Sequence, residues 1–382
     1  MSQKLTNLLD SLLKSNDFKQ EHSAELIDAL ITEGSVHNNP AWASHMTPTI
    51  KQPALLGQLL AGIHNGNLLS SELYPQLESI EKQLLDWFCQ LFGQPHAHFI
   101  HGSSYANLEA LWHARDRGEN LSSIVYGSNA VHYSIIKACQ ILGLEFRSIS
   151  TNEQGQIDTG KLRQACEKQT PIAIVATAGT TSSGAIDPIT ACIAIAKEFN
   201  CWCHIDAAWG GALALLAEQQ ALAGIEQADS VCFDPHKSLG QPRPCSILLY
   251  QQPLALMTGI DIDYLSQVPK QTLAGSYGGE LFLPLWLSLL SDRKILIKQL
   301  KDRLEQAEKF YHALCTQTDW QIFHSPSGII CFKTSINIDL SPLEAQGLLS
   351  RSKINGEAVW RVVFASQSAT SEAVIAAIEP YF

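Results

Sequence analysis

No window of this 382-residue chain approaches a run of uninterrupted apolar residues long enough to cross a bilayer, so no membrane span is expected. Basic residues are outnumbered: 26 Lys and Arg face 37 Asp and Glu, for a formal net charge of −11. With no basic patch to neutralise phosphates, nucleic acid is not an expected partner. Residues 1–14 are amphipathic and lack an apolar stretch followed by a small-residue cleavage site, so they do not read as a secretory signal. No repeat or low-complexity segment is visible. The balance suits a soluble, cytoplasmic protein.

Metal ligands in pairs are also missing. The run Cys201-Trp202-Cys203-His204 has the right residue types, but strand alternation places Cys201 and Cys203 on one face and His204 on the other. No second ligand pair has matching spacing, so no metal site is expected. The ten cysteines are scattered, mostly in apolar runs, and read as buried free thiols.

What is present is a large core and a clear alternation. Hydrophobic residues make up 46% of the chain, enough for one large domain with a small one attached. Residues 1–50 read as one or two helices and an extended stretch. Residues 51–92 read as helical, with Leu55, Leu56, Leu59, Leu60 and Ile63 at helical spacing. Short apolar runs then recur at 98–100, 123–126, 145–148, 172–177, 202–205, 230–233 and 246–250. Amphipathic segments separate them at 105–115, 134–142, 159–167 and 189–199. Strands alternating with helices predict βαβ units and a mostly parallel seven-stranded sheet between helices. A long helix is expected from residue 281 to about 316, followed by a small α+β domain. The expected divisions are 1–50, 51–290 and 291–382.

In such sheets ligands bind beyond the carboxyl ends of the strands, and the polar motifs fall there. His101-Gly102-Ser103-Ser104 follows a strand and opens a helix. Its small residues and free N–H groups suit an anion such as a phosphate, although a plain capped helix start would look similar. His132 lies between the next strand and helix, where it can cover a planar ring or be merely structural. Thr177-Ala178-Gly179-Thr180-Thr181 ends the strongest apolar strand, so the Thr180 hydroxyl is a candidate cofactor contact. Asp187 reads as the cap of the following helix.

Asp206 ends the run 202–205, where an uncompensated carboxylate costs several kcal/mol. Ala208 is small enough to sit beneath a ring. Asp234-Pro235-His236-Lys237 follows the next strand. A lysine there can form a Schiff base with an aldehyde, and a strand-end aspartate can hold a pyridine nitrogen protonated. The pair fits pyridoxal 5′-phosphate as cofactor. Apolar or cationic surroundings are expected to lower the Lys237 pKa, and His236 is expected to contact the phosphate or the imine.

With these motifs in this order, the chain resembles the group II pyridoxal-phosphate-dependent amino-acid decarboxylases, in their compact subclass. The likeness runs from about residue 42 to 286 and rests on Asp206-Ala207-Ala208 with Asp234-Pro235-His236-Lys237. It implies the type I, aspartate-aminotransferase-like fold and α-decarboxylation of an L-amino acid to its amine and CO₂. It also implies that Lys237 carries the cofactor, Asp206 pairs with the ring nitrogen, His132 stacks on the ring, and Gly102, Ser103 and Ser104 hold the phosphate. A homodimer with active sites at the interface is implied as well, with Ser276 reaching the partner's phosphate. An aldehyde synthase, another Cα-bond lyase, or a cofactor-binding protein without turnover are the alternatives on the same scaffold.

The chain departs from the family pattern at several points. Ser238 stands where most members have tryptophan. The loop between Tyr264 and Gly275 is short. Tyr277 replaces the usual arginine after Gly-Ser. His132, Tyr277 or a partner-chain group are candidates for the proton donor to Cα. Arg243 reads either as a side-chain carboxylate site or as a surface residue. Trp42 and Trp209 read as pocket walls or as packing.

Overall fold

The structure is a computed structural model that describes residues 23–382 except 118–121, 217–219, 258–262, 264–269 and 336–337. Residues 1–22, and the Tyr264–Leu265 side of the short loop, lie outside the described residues.

Helix α1 (Ser23–Gly34) leads through an extended stretch to α2 (Gln52–His64) and α3 (Pro75–Phe92). The spacing in α2 does produce a helix, but its leucines do not face the core. Leu55, Leu56, Leu59, Leu60 and Ile63 are all exposed, while Ala54, Gly57 and Ala61 are buried. The small residues let α2 lie directly on the N-terminal end of α9 (Leu283–Gln317): a Cβ on Gly57 would come within 2.4 Å of the Pro284 Cα. Close approach selects the small face and leaves the bulky one outside.

Seven strands follow: β1 (His96–Ile100), β2 (Ile124–Ser128), β3 (Glu145–Ile149), β4 (Ala173–Thr177), β5 (Trp202–Asp206), β6 (Ser230–Phe233) and β7 (Ser246–Tyr250). They form one sheet in the order β1-β7-β6-β5-β4-β2-β3. β3, β2, β4, β5 and β6 are parallel neighbours, and β7 runs against both β6 and β1. Every residue of β2, β4, β6 and β7 is buried, as a sheet covered on both faces requires. The covering helices include α4 (Ser103–Arg117), α5 (Tyr133–Leu142), α6 (Thr159–Lys168) and α7 (Ile189–Glu198). The single turn α8 (Pro235–Ser238) joins β6 to β7.

Helix α9 runs through residue 290 and loses helical backbone at Asp292. Its second half packs on a four-stranded antiparallel sheet of β8 (Gln321–His324), β9 (Ile329–Lys333), β10 (Ser350–Ile354) and β11 (Glu357–Val363), ordered β10-β11-β9-β8. A second core forms there around Phe310, Leu314, Trp320, Phe332 and Phe364. Strand β10 escaped the sequence reading because Ser350-Arg351-Ser352-Lys353 carries no apolar alternation. α10 (Ser341–Ala345) and α11 (Ser371–Ile378) complete the small unit. No helix among the described residues is long and apolar enough to cross a membrane.

Candidate active site

Parallel strands bring their carboxyl ends to one edge, and there the loops after β1, β2, β4, β5 and β6 surround a cavity of about 310 Å³. Gly102, Ser103, Ser104, His132, Asp206, Ala208, Asp234, His236 and Lys237 all border it. Gly102 has φ +133°, a backbone few other residues adopt, and the space a Cβ would take is open. Ser104, at the start of α4, is exposed to the cavity. The buried Thr177 Oγ1 has no hydrogen-bond partner in the protein, an unmet polar atom on the cavity wall.

The floor is acidic. Asp206 Oδ2 accepts from Asn107 Nδ2 at 3.0 Å, and Asp206 Oδ1 from the Ala208 N–H at 3.2 Å. Asp234 is a hub: its Oδ1 accepts from the Ser103 N–H (3.1 Å), from Ser103 Oγ (2.6 Å) and from Ser246 Oγ. Lys237 Nζ lies 2.9 Å from Asp234 Oδ2, because one turn of α8 places residues three apart on the same side. Burial works to raise the Asp234 carboxyl, but the Lys237 ammonium, His236 and the two serine hydroxyls outweigh it and hold it below the ordinary range.

The same pair corrects the expectation for Lys237. Burial does press its pKa down, but the Asp234 and Asp206 carboxylates outweigh it and raise the ammonium above its usual value. The expectation was apolar or cationic surroundings; the fold supplies two anions. His236 donates from Nδ1 to the Cys245 carbonyl at 2.8 Å, and burial lowers its pKa. Burial likewise lowers His132, against the pull of Asp206.

Other expected residues lie elsewhere. Thr180 is fully buried with its Oγ1 3.0 Å from Ser183 Oγ, inside the turn and off the cavity; Thr177, Gly179 and Thr181 border it instead. Ser103 borders the cavity, but its hydroxyl proton goes to Asp234. Ser276, expected to reach a partner's site, accepts from Asn67 Nδ2 at 3.2 Å on the protein surface. Tyr277 is away from this cavity, donating to Glu81 Oε2 at 3.4 Å. Asp187 is not a helix cap: its two oxygens take the N–H groups of Ile157 (2.6 Å) and Thr177 (2.7 Å). Trp209 borders the cavity, whereas Trp42 is buried in edge contact with His37.

Arg361 was not foreseen. It comes from β11 of the small unit, is buried, and donates to Ser350 Oγ (3.1 Å), Ser44 O (3.1 Å) and Thr181 O. Among the described residues no carboxylate pairs with it, and burial lowers its pKa. It borders a second cavity of about 620 Å³ that shares His132 and Thr181 with the first. No local pattern marks it, since its neighbours in space are far away in the chain.

A parallel sheet whose strand ends gather a lysine, two aspartates, a histidine and a helix N-terminus has the layout of the type I fold of pyridoxal-phosphate-dependent proteins. The chain belongs to the pyridoxal-dependent decarboxylase family: the family model described as the pyridoxal-dependent decarboxylase conserved domain matches residues 4–335. It is 33% identical over 240 residues to an L-2,4-diaminobutyrate decarboxylase of Rhizobium meliloti (strain 1021), covering 59% of this chain and 48% of that one. It is 28% identical over 379 residues to an aspartate 1-decarboxylase of Aliivibrio fischeri (strain ATCC 700601 / ES114), covering 85% and 68%. The fold is shared with Catharanthus roseus tryptophan decarboxylase in complex with L-tryptophan, at TM-score 0.80 and 22% identity over 96% of this chain and 90% of that one. The chain spans about half to two thirds of the length of the curated relatives it matches. The family's cofactor is pyridoxal phosphate, and the residues here fit it: an open glycine at a helix start, an amine, a strand-end carboxylate and the unmet Thr177 hydroxyl.

Proposed function

We propose that the chain catalyses α-decarboxylation of an L-amino acid to its amine and CO₂. The observation that carries this reading is the convergence of Lys237, Asp206 and His132 on one cavity with an anion seat at its rim. Bound pyridoxal phosphate supplies an electron sink for the pair left when the Cα–carboxylate bond breaks. Lys237 Nζ would hold that group covalently, and Asp234, 2.9 Å away, holds Nζ in place. Asp206 would hold the ring nitrogen and His132 would cover the ring, since both border the cavity. Gly102 and Ser104 would receive the phosphate through their N–H groups and the Ser104 hydroxyl, since both donors of Ser103 are committed to Asp234. Asp234 and His236 thus act by positioning.

Two guanidinium groups, Arg243 at the first cavity and buried Arg361 at the second, have no carboxylate partner among the described residues. Both offer forked donors for a carboxylate, which makes acidic amino acids the substrates to try first. The exposed leucine face of α2 is the kind of apolar surface that a second subunit covers. It supports a homodimer with Ser276 directed to the neighbouring site. Ten free cysteines suit a reducing, cytoplasmic setting.

The test is a screen of L-amino acids for CO₂ release and amine formation by the protein loaded with pyridoxal phosphate. Aspartate and glutamate are expected among the active compounds. Lys237→Ala is expected to lose both the visible cofactor band and turnover. CO₂ release retained by that variant would refute the assignment.

A further inference from the structure

A chain of polar side chains runs beneath the cavity, and nothing in the proposed chemistry accounts for it. Trp202 Nε1–H donates to Ser230 Oγ at 2.8 Å, and Ser230 Oγ lies 2.8 Å from His204 Nδ1. His204 Nε2 lies 2.8 Å from Asn107 Oδ1. Asn107 Nδ2 then divides, donating to Asp206 Oδ2 at 3.0 Å and to Ser134 Oγ at 2.9 Å. Ser134 Oγ lies 2.8 Å from His132 Nδ1, which also takes the Ser134 N–H at 3.3 Å. Asn107 and His204 are fully buried, and Ser134 and Ser230 nearly so. Asn107 is not on the cavity wall, but Asp206 and His132 both are.

Each proton in this chain has one place. A carboxylate only accepts, so the Asn107 amide must turn its NH₂ toward Asp206. Its oxygen then faces His204, whose Nε2 must carry the hydrogen. Cys232 Sγ, 3.3 Å away, adds a second donor to that oxygen. Both amide hydrogens and the amide oxygen are thus engaged, while the single thiol hydrogen of Cys232 is shared between that oxygen and Asp206 Oδ1 at 3.5 Å. The other His204 nitrogen takes the Ser230 hydroxyl proton, and the Ser230 oxygen is left to accept from the indole. On the far branch, His132 Nδ1 accepts the Ser134 N–H and so carries no hydrogen; the Ser134 hydroxyl proton therefore also goes to Nδ1, and the Ser134 oxygen accepts from Asn107. With Nδ1 accepting, the single proton of the neutral ring sits on Nε2.

We infer that Asn107 is a positioning residue that holds the Asp206 carboxylate and, by donating to the Ser134 oxygen, reinforces the Nε2–H tautomer of His132 that the Ser134 N–H favours. The cavity is thereby given one fixed acceptor and one fixed donor by a single buried amide. A ring free to exchange tautomers would offer a lone pair instead of a donor for part of the time. This inference rests on the proposed roles of Asp206 and His132 toward the cofactor.

Two measurements test it. The first reads the His132 ring nitrogens by ¹⁵N NMR of histidine-labelled protein, with and without pyridoxal phosphate, assigned by loss of signal in His132→Gln. The parent protein is expected to show Nδ1 unprotonated and Nε2 protonated, and Asn107→Leu to show Nδ1–H as well. The second is pyridoxal phosphate affinity, expected to weaken at least about tenfold in Asn107→Leu, as for a lost hydrogen bond to a charged group. Should Asn107→Leu fail to fold, Asn107→Ser provides both readouts, since its hydroxyl is too short to reach Asp206 and Ser134 together. Nδ1–H in the parent protein overturns the inference, as do an unchanged tautomer and unchanged affinity in the variant. If the parent protein binds no pyridoxal phosphate, the proposed function fails instead, and the tautomer of the cofactor-free protein is still read independently.

Discussion

Glu81→Gln is expected to remove a pH-dependent loss of stability, and the size of the effect follows from where Glu81 sits. Its carboxyl is buried on α3; one oxygen takes the Tyr277 hydroxyl and the other has no partner. Burial raises its pKa from 4.5 to about 7, against the smaller opposing effects of the Tyr277 hydrogen bond and His98. A carboxyl raised on folding binds its proton more tightly in the folded state. Stability is therefore highest at low pH and falls as pH rises from about 4.5 to 7. At about 1.4 kcal/mol per pH unit, the loss between pH 5 and pH 8 is on the order of 2.5 kcal/mol. Glutamine keeps an acceptor for Tyr277 and cannot ionise. Urea unfolding of parent and variant at both pH values gives the double difference directly. The variant should gain about 2 to 3 kcal/mol relative to the parent on going from pH 5 to pH 8. Parallel behaviour of the two proteins would mean that Glu81 is not a buried, proton-holding group. The result also bears on Tyr277: where the family usually has an arginine, this chain pairs a neutral phenol with a carboxyl that burial keeps largely protonated below neutrality.

Asp206→Asn keeps the shape of the cavity floor but removes the charge that would face the ring nitrogen; kcat should fall by roughly 10²- to 10³-fold in a steady-state assay, and a smaller loss would assign that role elsewhere. Arg361→Gln should raise KM for an acidic substrate by about tenfold or more while leaving pyridoxal phosphate affinity unchanged, as titrated by absorbance. An unaltered KM would leave Arg361 as a purely structural link between the small unit and Thr181. Leu59→Glu with Ile63→Glu places two charges on the exposed face of α2 and should shift a dimer to monomer by light scattering. An intact dimer would move the subunit interface elsewhere.

The sheet was legible because strand runs are local. The apolar segments ending in Thr177, Phe233 and Tyr250 stop where the sequence pattern stops, and each reading came within about two residues of the observed strand. The candidate cavity was legible for the same reason: Gly102, His132 and Lys237 each follow a strand, Asp206 ends one, and parallel strands gather their ends. The protonation of Lys237 was not legible in the same way. Its nearest anion is only three residues back, but the contact exists because α8 makes one turn there. The roles of His204, Asn107, Glu81 and Arg361 were hidden more deeply, for each depends on a partner distant in the chain. The Asn107–Asp206 contact joins residues 99 positions apart, and the Arg361–Thr181 contact joins residues 180 apart.

By itself, then, the order of residues determined the layered α/β architecture, the edge of the sheet where the candidate site lies, and the family, because periodicity and strand-end motifs are encoded over a few residues. Tertiary structure decided which side of α2 is buried, which hydroxyls are free and which already committed, and where protons reside among the buried polar groups. Those outcomes depend on close approach, desolvation and hydrogen-bond direction between segments that meet only when the chain has folded.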